Sequence, residues 1–267
     1  MRILNGRGLA RQLGGIVGKW LINLLLGSVL FLGSVGTMEA AELQVIAGGG
    51  IAGPLNEIAA SFERTSGHKV VIRYGTTPEL IKMATSGVPF DLGVVPTDVW
   101  KDDAARAQVT PGPTPDVARV GIGVAVRAGA PRGDISTAEA LKQMLLKAQS
   151  IASIPASASG AQLAGMYERL GIANDMKAKT KAQPTPKQIV EAVAHGNAEL
   201  AVFTLNVLID PRLDIVGPLP AELQREIVYA VGVAANSKEL EAAKAFVAYL
   251  MSPSAIAVIK AKGMNPG

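Results

Sequence analysis

Leu43-Gln-Val-Ile-Ala-Gly-Gly-Gly-Ile-Ala-Gly-Pro54 is the stretch whose reading decides the fold. A short apolar run enters three consecutive glycines. Pro54 then opens a segment in which Leu55, Ile58, Ala59 and Phe62 repeat at helical spacing up to Gly67. This predicts a strand, a tight loop and a helix with one apolar face. The pattern returns twice. Val70-Arg73 leads through Gly75-Thr76-Thr77-Pro78 into a helix over 79–86, and Phe90-Val95 leads into another near 97–106. Three strand-loop-helix units in succession argue an α/β fold with a parallel sheet covered by helices. Helix N-termini present unpaired N–H groups and a partial positive charge, so the first two loops are predicted anion sites.

Prolines at 111, 113 and 115 interrupt the pattern, and Ala118-Arg127 then reads as one long strand that crosses between two blocks. The second block opens at Ser136-Thr-Ala-Glu139, a capping box ahead of a helix at 141–146. A strand over 150–154, a Ser-rich loop and a helix from Gly160 to Leu170 follow. Next come a second box at Thr185-Pro-Lys-Gln188 and a strand at Leu200-Thr204. Asp214-Pro220 and a strand over 227–235 read as the return path, with Ser237 capping a helix to Met251 and Pro253 opening the last. The expected division is lobe 1 at 41–122 plus 229–267 and lobe 2 at 123–228. A chain that leaves and returns makes two crossings, and two crossings make a hinge with a ligand cleft between the lobes.

Residues 1–40 carry Arg2, Arg7, Arg11 and Lys19 ahead of an apolar run from Trp20 to Leu32 and then small residues, the order of a secretory signal. A periplasmic location is therefore expected. Of 26 Lys and Arg residues, four lie in this segment, and of 22 Asp and Glu only Glu39 does; the remaining 22 and 21 leave a net charge of +1. Nucleic-acid binding, which needs a basic patch, loses its support. The chain has no cysteine and two histidines, His68 and His195, both read as surface residues, so no protein-ligated metal is expected. The glycines at 48, 50 and 53 match G-x-G-x-x-G, with Arg73 about 20 residues on, as in a dinucleotide site. Export argues against a soluble nicotinamide enzyme, and no cofactor is expected.

Four stretches carry a resemblance. Val45 to Ala59, Tyr74-Gly-Thr-Thr-Pro78, Ser86-Gly-Val-Pro-Phe-Asp-Leu92 and the helix with its following turn from Glu241 to Ser254 are similar, in this order, to the extracellular solute-binding proteins of ABC importers, and among them the molybdate-binding branch. The resemblance spans nearly the whole exported chain. It implies a two-lobed type II periplasmic binding protein fold and a small anion held by neutral donors. It also implies delivery to an inner-membrane permease by a monomer. The ligand contacts it implies fall on Gly49, Gly50, Thr76, Thr77, Ser157, Ser159, Gly160 and Thr204. Gly50 stands where that branch has a ligating Ser, and Thr204 where it has a Tyr. A subgroup sharing the Gly-rich first loop and Val216-Gly-Pro-Leu-Pro-Ala-Glu-Leu-Gln224 includes an exported aconitate isomerase. Isomerisation by proton transfer needs a base over the substrate carbon. Glu79, Asp91 and Tyr74 are the candidates, and Arg73 could hold a carboxylate bidentately.

Overall fold

The computed structural model describes Ala40–Gly267, so the secretory-signal reading lies outside the described residues. Strand β1 (Glu42–Gly48) pairs in parallel with β2 (Lys69–Gly75) on one side and β3 (Leu92–Pro96) on the other. Helix α1 (Ala52–Ser66) connects β1 to β2, and α2 (Thr77–Thr85) leads from β2 toward β3. The expected strand-helix alternation is present, with each boundary shifted by a few residues. Gly67 ends α1 in the left-handed conformation, φ 77°, which glycine adopts at little cost. Near 97–106 a 3-10 turn and the short helix α3 (Asp103–Arg106) replace the single helix expected there.

Ala118-Arg127 is two strands, not one. β4 (Asp116–Val120) belongs to the first sheet and β5 (Ile122–Arg127) to the second. The break falls at Gly121, where Gln224 takes the place of a strand partner. Its Oε1 accepts from the Ile122 N–H at 2.9 Å, and its Nε2 donates to the Ile122 carbonyl at 2.7 Å. The chain continues through α4 (Ala138–Lys147), β6 (Ile151–Ser153), α5 (Ala158–Arg169), α6 (Ala173–Lys179) and β7 (Thr180–Ala182). Then come α7 (Pro186–Ala194), β8 (Leu200–Thr204), α8 (Leu205–Leu208) and β9 (Leu213–Pro218). It re-enters the first sheet as β10 (Ile227–Val233) and ends with α9 (Leu240–Leu250), α10 (Pro253–Ala261) and β11 (Asn265–Pro266).

The sheet orders are β11-β4-β10-β3-β1-β2 and β7-β6-β8-β5-β9. Parallel pairs occupy one end of each sheet; the crossing strands β4, β5, β9 and β10 run antiparallel. Alternation along β1 covers both faces of the first sheet. Leu43, Val45 and Ala47 pack with Leu55, Phe62 and Phe246, while Ile46 packs with Leu80 and Trp100 on the other face. The second sheet is covered likewise by Leu141, Leu145 and Leu163 on one face and by Ile189 and Val193 on the other.

Several local expectations are corrected. Thr137, not Ser136, caps α4, accepting from the Ala140 N–H at 3.1 Å. Ser237 does not open α9; it accepts from the Glu239 N–H and donates to Asp91. His68 is buried rather than on the surface, because its ring stacks on Phe62 and its Nδ1 accepts from the Ala41 N–H at 3.1 Å. His195 is exposed at the end of α7, as expected.

The Gln224 clamp yields a test. Gln224→Ala leaves the Ile122 N–H unpaired in a partly buried place and takes one of two donors from the Ile122 carbonyl, which keeps the Leu219 N–H, a loss of about 1–3 kcal/mol. For a chain of this size that lowers Tm by about 2–12 °C in a thermal melt. An unchanged Tm would remove Gln224 from the account of the crossing.

Candidate functional site: a cavity of neutral donors

Register brings the loops together. Gly48 at the end of β1 lies opposite Gly75 at the end of β2, so the turns into α1 and α2 stand side by side at the carboxyl ends of parallel strands. In the second sheet the parallel pair β6 and β8 delivers two more turns, from Ile154 to Ser157 ahead of α5 and from Thr204 into α8. Turns from both sheets line one cavity. Its inner chamber, about 20 Å³, is walled by Gly48–Gly50, Thr76, Thr77, Ser157, Ser159, Phe203, Thr204 and Tyr229. Its outer chamber, about 260 Å³, shares Gly49, Gly50, Thr76, Ser157 and Phe203 and adds Tyr74, Glu79, Thr185 and Pro186.

Hydroxyls in the inner chamber divide into engaged and unengaged. Ser157 caps α5, its Oγ accepting from the Gly160 N–H at 3.1 Å, donating to the Ile154 carbonyl at 2.7 Å and lying 2.9 Å from Ser159 Oγ. Thr76 opens α2 with both its donors on one carboxylate, its N–H and its hydroxyl each donating to Glu79 Oε2 at 2.8 Å. The Oγ1 atoms of Thr77 and Thr204 are buried and have no hydrogen-bond partner. Buried polar groups in native proteins are nearly always bonded, so two orphans facing one cavity mark a place where an acceptor belongs. No Lys, Arg or His lines either chamber. The field comes instead from helix N-termini, those of α1, α2 and α5 around the inner chamber and α7 with Thr185 beside the outer one.

Of the expected contacts, Gly49, Gly50, Thr76, Thr77, Ser157, Ser159 and Thr204 are brought together here. Gly160 is not among the walls: it packs against the carbonyls of Ile154 and Pro155, where no side chain fits. Arg73 lines neither chamber. Alternation along β2 turns it away from Tyr74, and its guanidinium donates to the Pro89 carbonyl at 3.0 Å. Asp91 stands at the opposite end of β3, accepting from the Gln44 N–H and the Ser237 hydroxyl, each at 2.7 Å, so it is a structural carboxylate. Asp98 pairs with Lys101 and Trp100 is buried in a core, so neither lines the cavity.

Glu79 and Tyr74 do line the outer chamber. The backbone N–H and the hydroxyl of Thr76 hold the Glu79 carboxyl below the ordinary range, which keeps it ionised and weakens it as a base. Burial pushes the Tyr74 phenol above its ordinary value, and its hydroxyl donates to Asn56 Oδ1 at 2.6 Å.

Sequence reasoning missed Tyr229, Phe203, Thr185 and Asn206. Thr185 was visible as a cap but not as a wall. Asn206 Nδ2 donates to the Gly50 carbonyl at 2.8 Å, tying the turn after β8 to the turn after β1. Tyr229 is seen only once β10 is placed beside β3, with Tyr229 opposite Pro96.

Comparison with known proteins agrees with this architecture. The chain is 32% identical over 252 residues to an aconitate isomerase from a Pseudomonas species, covering 91% of this chain and 95% of that protein. It is 30% identical over 231 residues to the molybdate-binding protein ModA of Azotobacter vinelandii, covering 84% and 90% respectively. The solved periplasmic molybdate-binding protein of Azotobacter vinelandii superposes with a TM-score of 0.70 at 21% identity, over 84% of this chain and 99% of that one. The two helix-flanked sheets thus form the fold of the periplasmic binding proteins. Residues 43–265 match the family described as bacterial extracellular solute-binding protein, and with that match across nearly all of its described length the chain belongs to that family.

Proposed function

We propose that the chain captures a small anion, an oxyanion or a carboxylate, in this cavity within the periplasm and delivers it to an inner-membrane ABC permease. The carrying observation is the pair of orphaned hydroxyls, Thr77 Oγ1 and Thr204 Oγ1, facing a cavity walled without any cationic side chain. Fixed short donors at helix N-termini stabilise a desolvated negative charge and select its size, while leaving out the full positive charge that would attract every anion. In this reading lobe 1 is residues 41–122 with 229–267, lobe 2 is 123–228, and the crossings near Gly121 and between β9 and β10 form the hinge. One chain supplies every wall, so a monomer suffices.

The size of the chambers bears on the anion. About 20 Å³ holds one water-sized group. An oxygen-bearing end of the anion enters the inner chamber, and the 260 Å³ outer chamber receives the remainder. That arrangement supports a second reading, an isomerase that interconverts trans- and cis-aconitate by proton transfer. The observation favouring it is the Glu79 carboxylate in the outer chamber, with the isomerase relative at 32% identity in support.

A thermal-shift series with molybdate, tungstate, sulfate, phosphate, citrate and both aconitates tests the first reading. An anion at 100 times its Kd adds about 2.7 kcal/mol, which raises Tm by about 5–11 °C for a chain of this size. At least one of these anions is expected to do so, and no shift with any of them contradicts the proposal.

Glu79→Gln separates the readings. For a binder it removes a negative charge beside the cavity, so affinity for an anion is unchanged or rises. For an isomerase, turnover of trans-aconitate followed by NMR falls about 100- to 10,000-fold, the range for a lost general base. Turnover that survives Glu79→Gln takes the proton transfer away from Glu79.

A further inference from the structure

Three glycines in a row at 48–50 would be costly merely for flexibility. Packing accounts for each one. A Cβ at Gly48 would stand 2.8 Å from Tyr229 Cε1, a Cβ at Gly49 would stand 3.3 Å from the Pro186 ring, and a Cβ at Gly50 would overlap the Tyr229 hydroxyl. Two of the three therefore clear a path for one tyrosine. Its ring crosses the start of the loop and its hydroxyl sits where a side chain at position 50 would begin. The Cβ position at residue 50, which that hydroxyl overlaps, lies 3.6 Å from Thr204 Oγ1, one of the two orphaned hydroxyls. The register of β10 against β4 shifts between Tyr229 and Ala230, the extra residue being Val117 on β4, while Tyr229 keeps its place opposite Pro96 of β3. The residue as a whole is 3% exposed, yet it lines the inner chamber.

We propose that Tyr229 is a binding residue, its hydroxyl donating to the anion oxygen that enters the inner chamber and limiting what can enter there. The proposal rests on the anion-capturing reading above. The phenol is suited to the task. Burial raises its pKa from the ordinary value, so near neutral pH it is uncharged and keeps its proton. A neutral O–H donates to an anion without repelling it, and a hydroxyl on a rigid ring loses little freedom on binding. Gly50 and Tyr229 form one functional unit: the glycine vacates the space, and the tyrosine fills it from another strand. With Thr77 and Thr204 this makes three hydroxyls around a space of about 20 Å³. Such a set accepts a carboxylate edge or one corner of an oxyanion and rejects a branched apolar end.

Calorimetric titration of the full-length expressed chain with molybdate and with trans-aconitate, for wild type, Tyr229→Phe, Gly50→Ala and the double variant, tests this. For an anion that wild type binds, Tyr229→Phe is expected to weaken affinity about 10- to 100-fold, the size of one hydrogen bond to a charged group. It should leave the Tm of the free protein unchanged or higher; a purely structural hydroxyl would instead lower Tm and leave affinity alone. Gly50→Ala is expected to lower both Tm and affinity. Adding Tyr229→Phe to it should restore Tm, because the overlapping oxygen is gone. If wild type binds and Tyr229→Phe binds within twofold of it, this assignment is overturned and the anion reading stands. If wild type binds neither of these nor any other anion of the thermal-shift series, the anion reading falls and the assignment with it.

Discussion

The site depends on the register of β1 against β2, which sets Gly48 beside Gly75. A slip of one residue would exchange the faces of β1, moving Ile46 to the side that holds Leu55 and Phe62, and would separate the two turns that open α1 and α2. The register is held by burial on both faces rather than by any polar contact in the site. Asp91 adds a pin at the far end, bonding Gln44 on β1 and Ser237 ahead of α9. The loops that meet the cavity can therefore consist of small residues with little packing of their own, because the strands beneath them fix where their N–H groups point.

Charge is kept out of the cavity on the cationic side and confined on the anionic side. Arg73, next to the wall residue Tyr74, is turned to the Pro89 carbonyl by strand alternation. Glu79 reaches the outer chamber, where the Thr76 N–H and hydroxyl satisfy one of its oxygens. An anion approaching Thr76 meets donors already engaged, whereas Thr77 and Thr204 have theirs to offer. In the proposed reading this division places the strongest interaction in the inner chamber and leaves the outer one tolerant of different bodies. Asn206 on α8 donates to the carbonyl of Gly50, so the two sheets are also joined at the cavity by a bond that needs no ligand.

Much of the fold was legible because it is written locally. Pro54, Gly67, Thr76 and Thr185 mark helix ends by chemistry that acts within one turn, and the apolar spacing of Leu55, Ile58 and Phe62 names a face. The turns after β1 and β2 were legible as strand-to-helix turns for the same reason: strand, small residues and helix follow one another without interruption. What escaped is long-range. Tyr229 reaches Gly50 only through the pairing of β10 with β3, and the crossing at Gly121 needs Gln224 from a segment far along the chain. The side Arg73 takes, toward the Pro89 carbonyl, was not legible because composition names a charge but not the face it occupies. His68, flanked by Gly67 and Lys69, looked exposed, yet stacking on Phe62 and a bond from the Ala41 N–H bury it.

The most direct measurement is a crystal structure of the exported chain grown with molybdate and, separately, with trans-aconitate. The account predicts that an oxygen of the bound anion lies within hydrogen-bond distance, about 2.6–3.2 Å, of both Thr77 Oγ1 and Thr204 Oγ1, with no cationic side chain in contact. An anion bound instead at Arg73, or bound in the outer chamber with those two hydroxyls still unpaired, would contradict it.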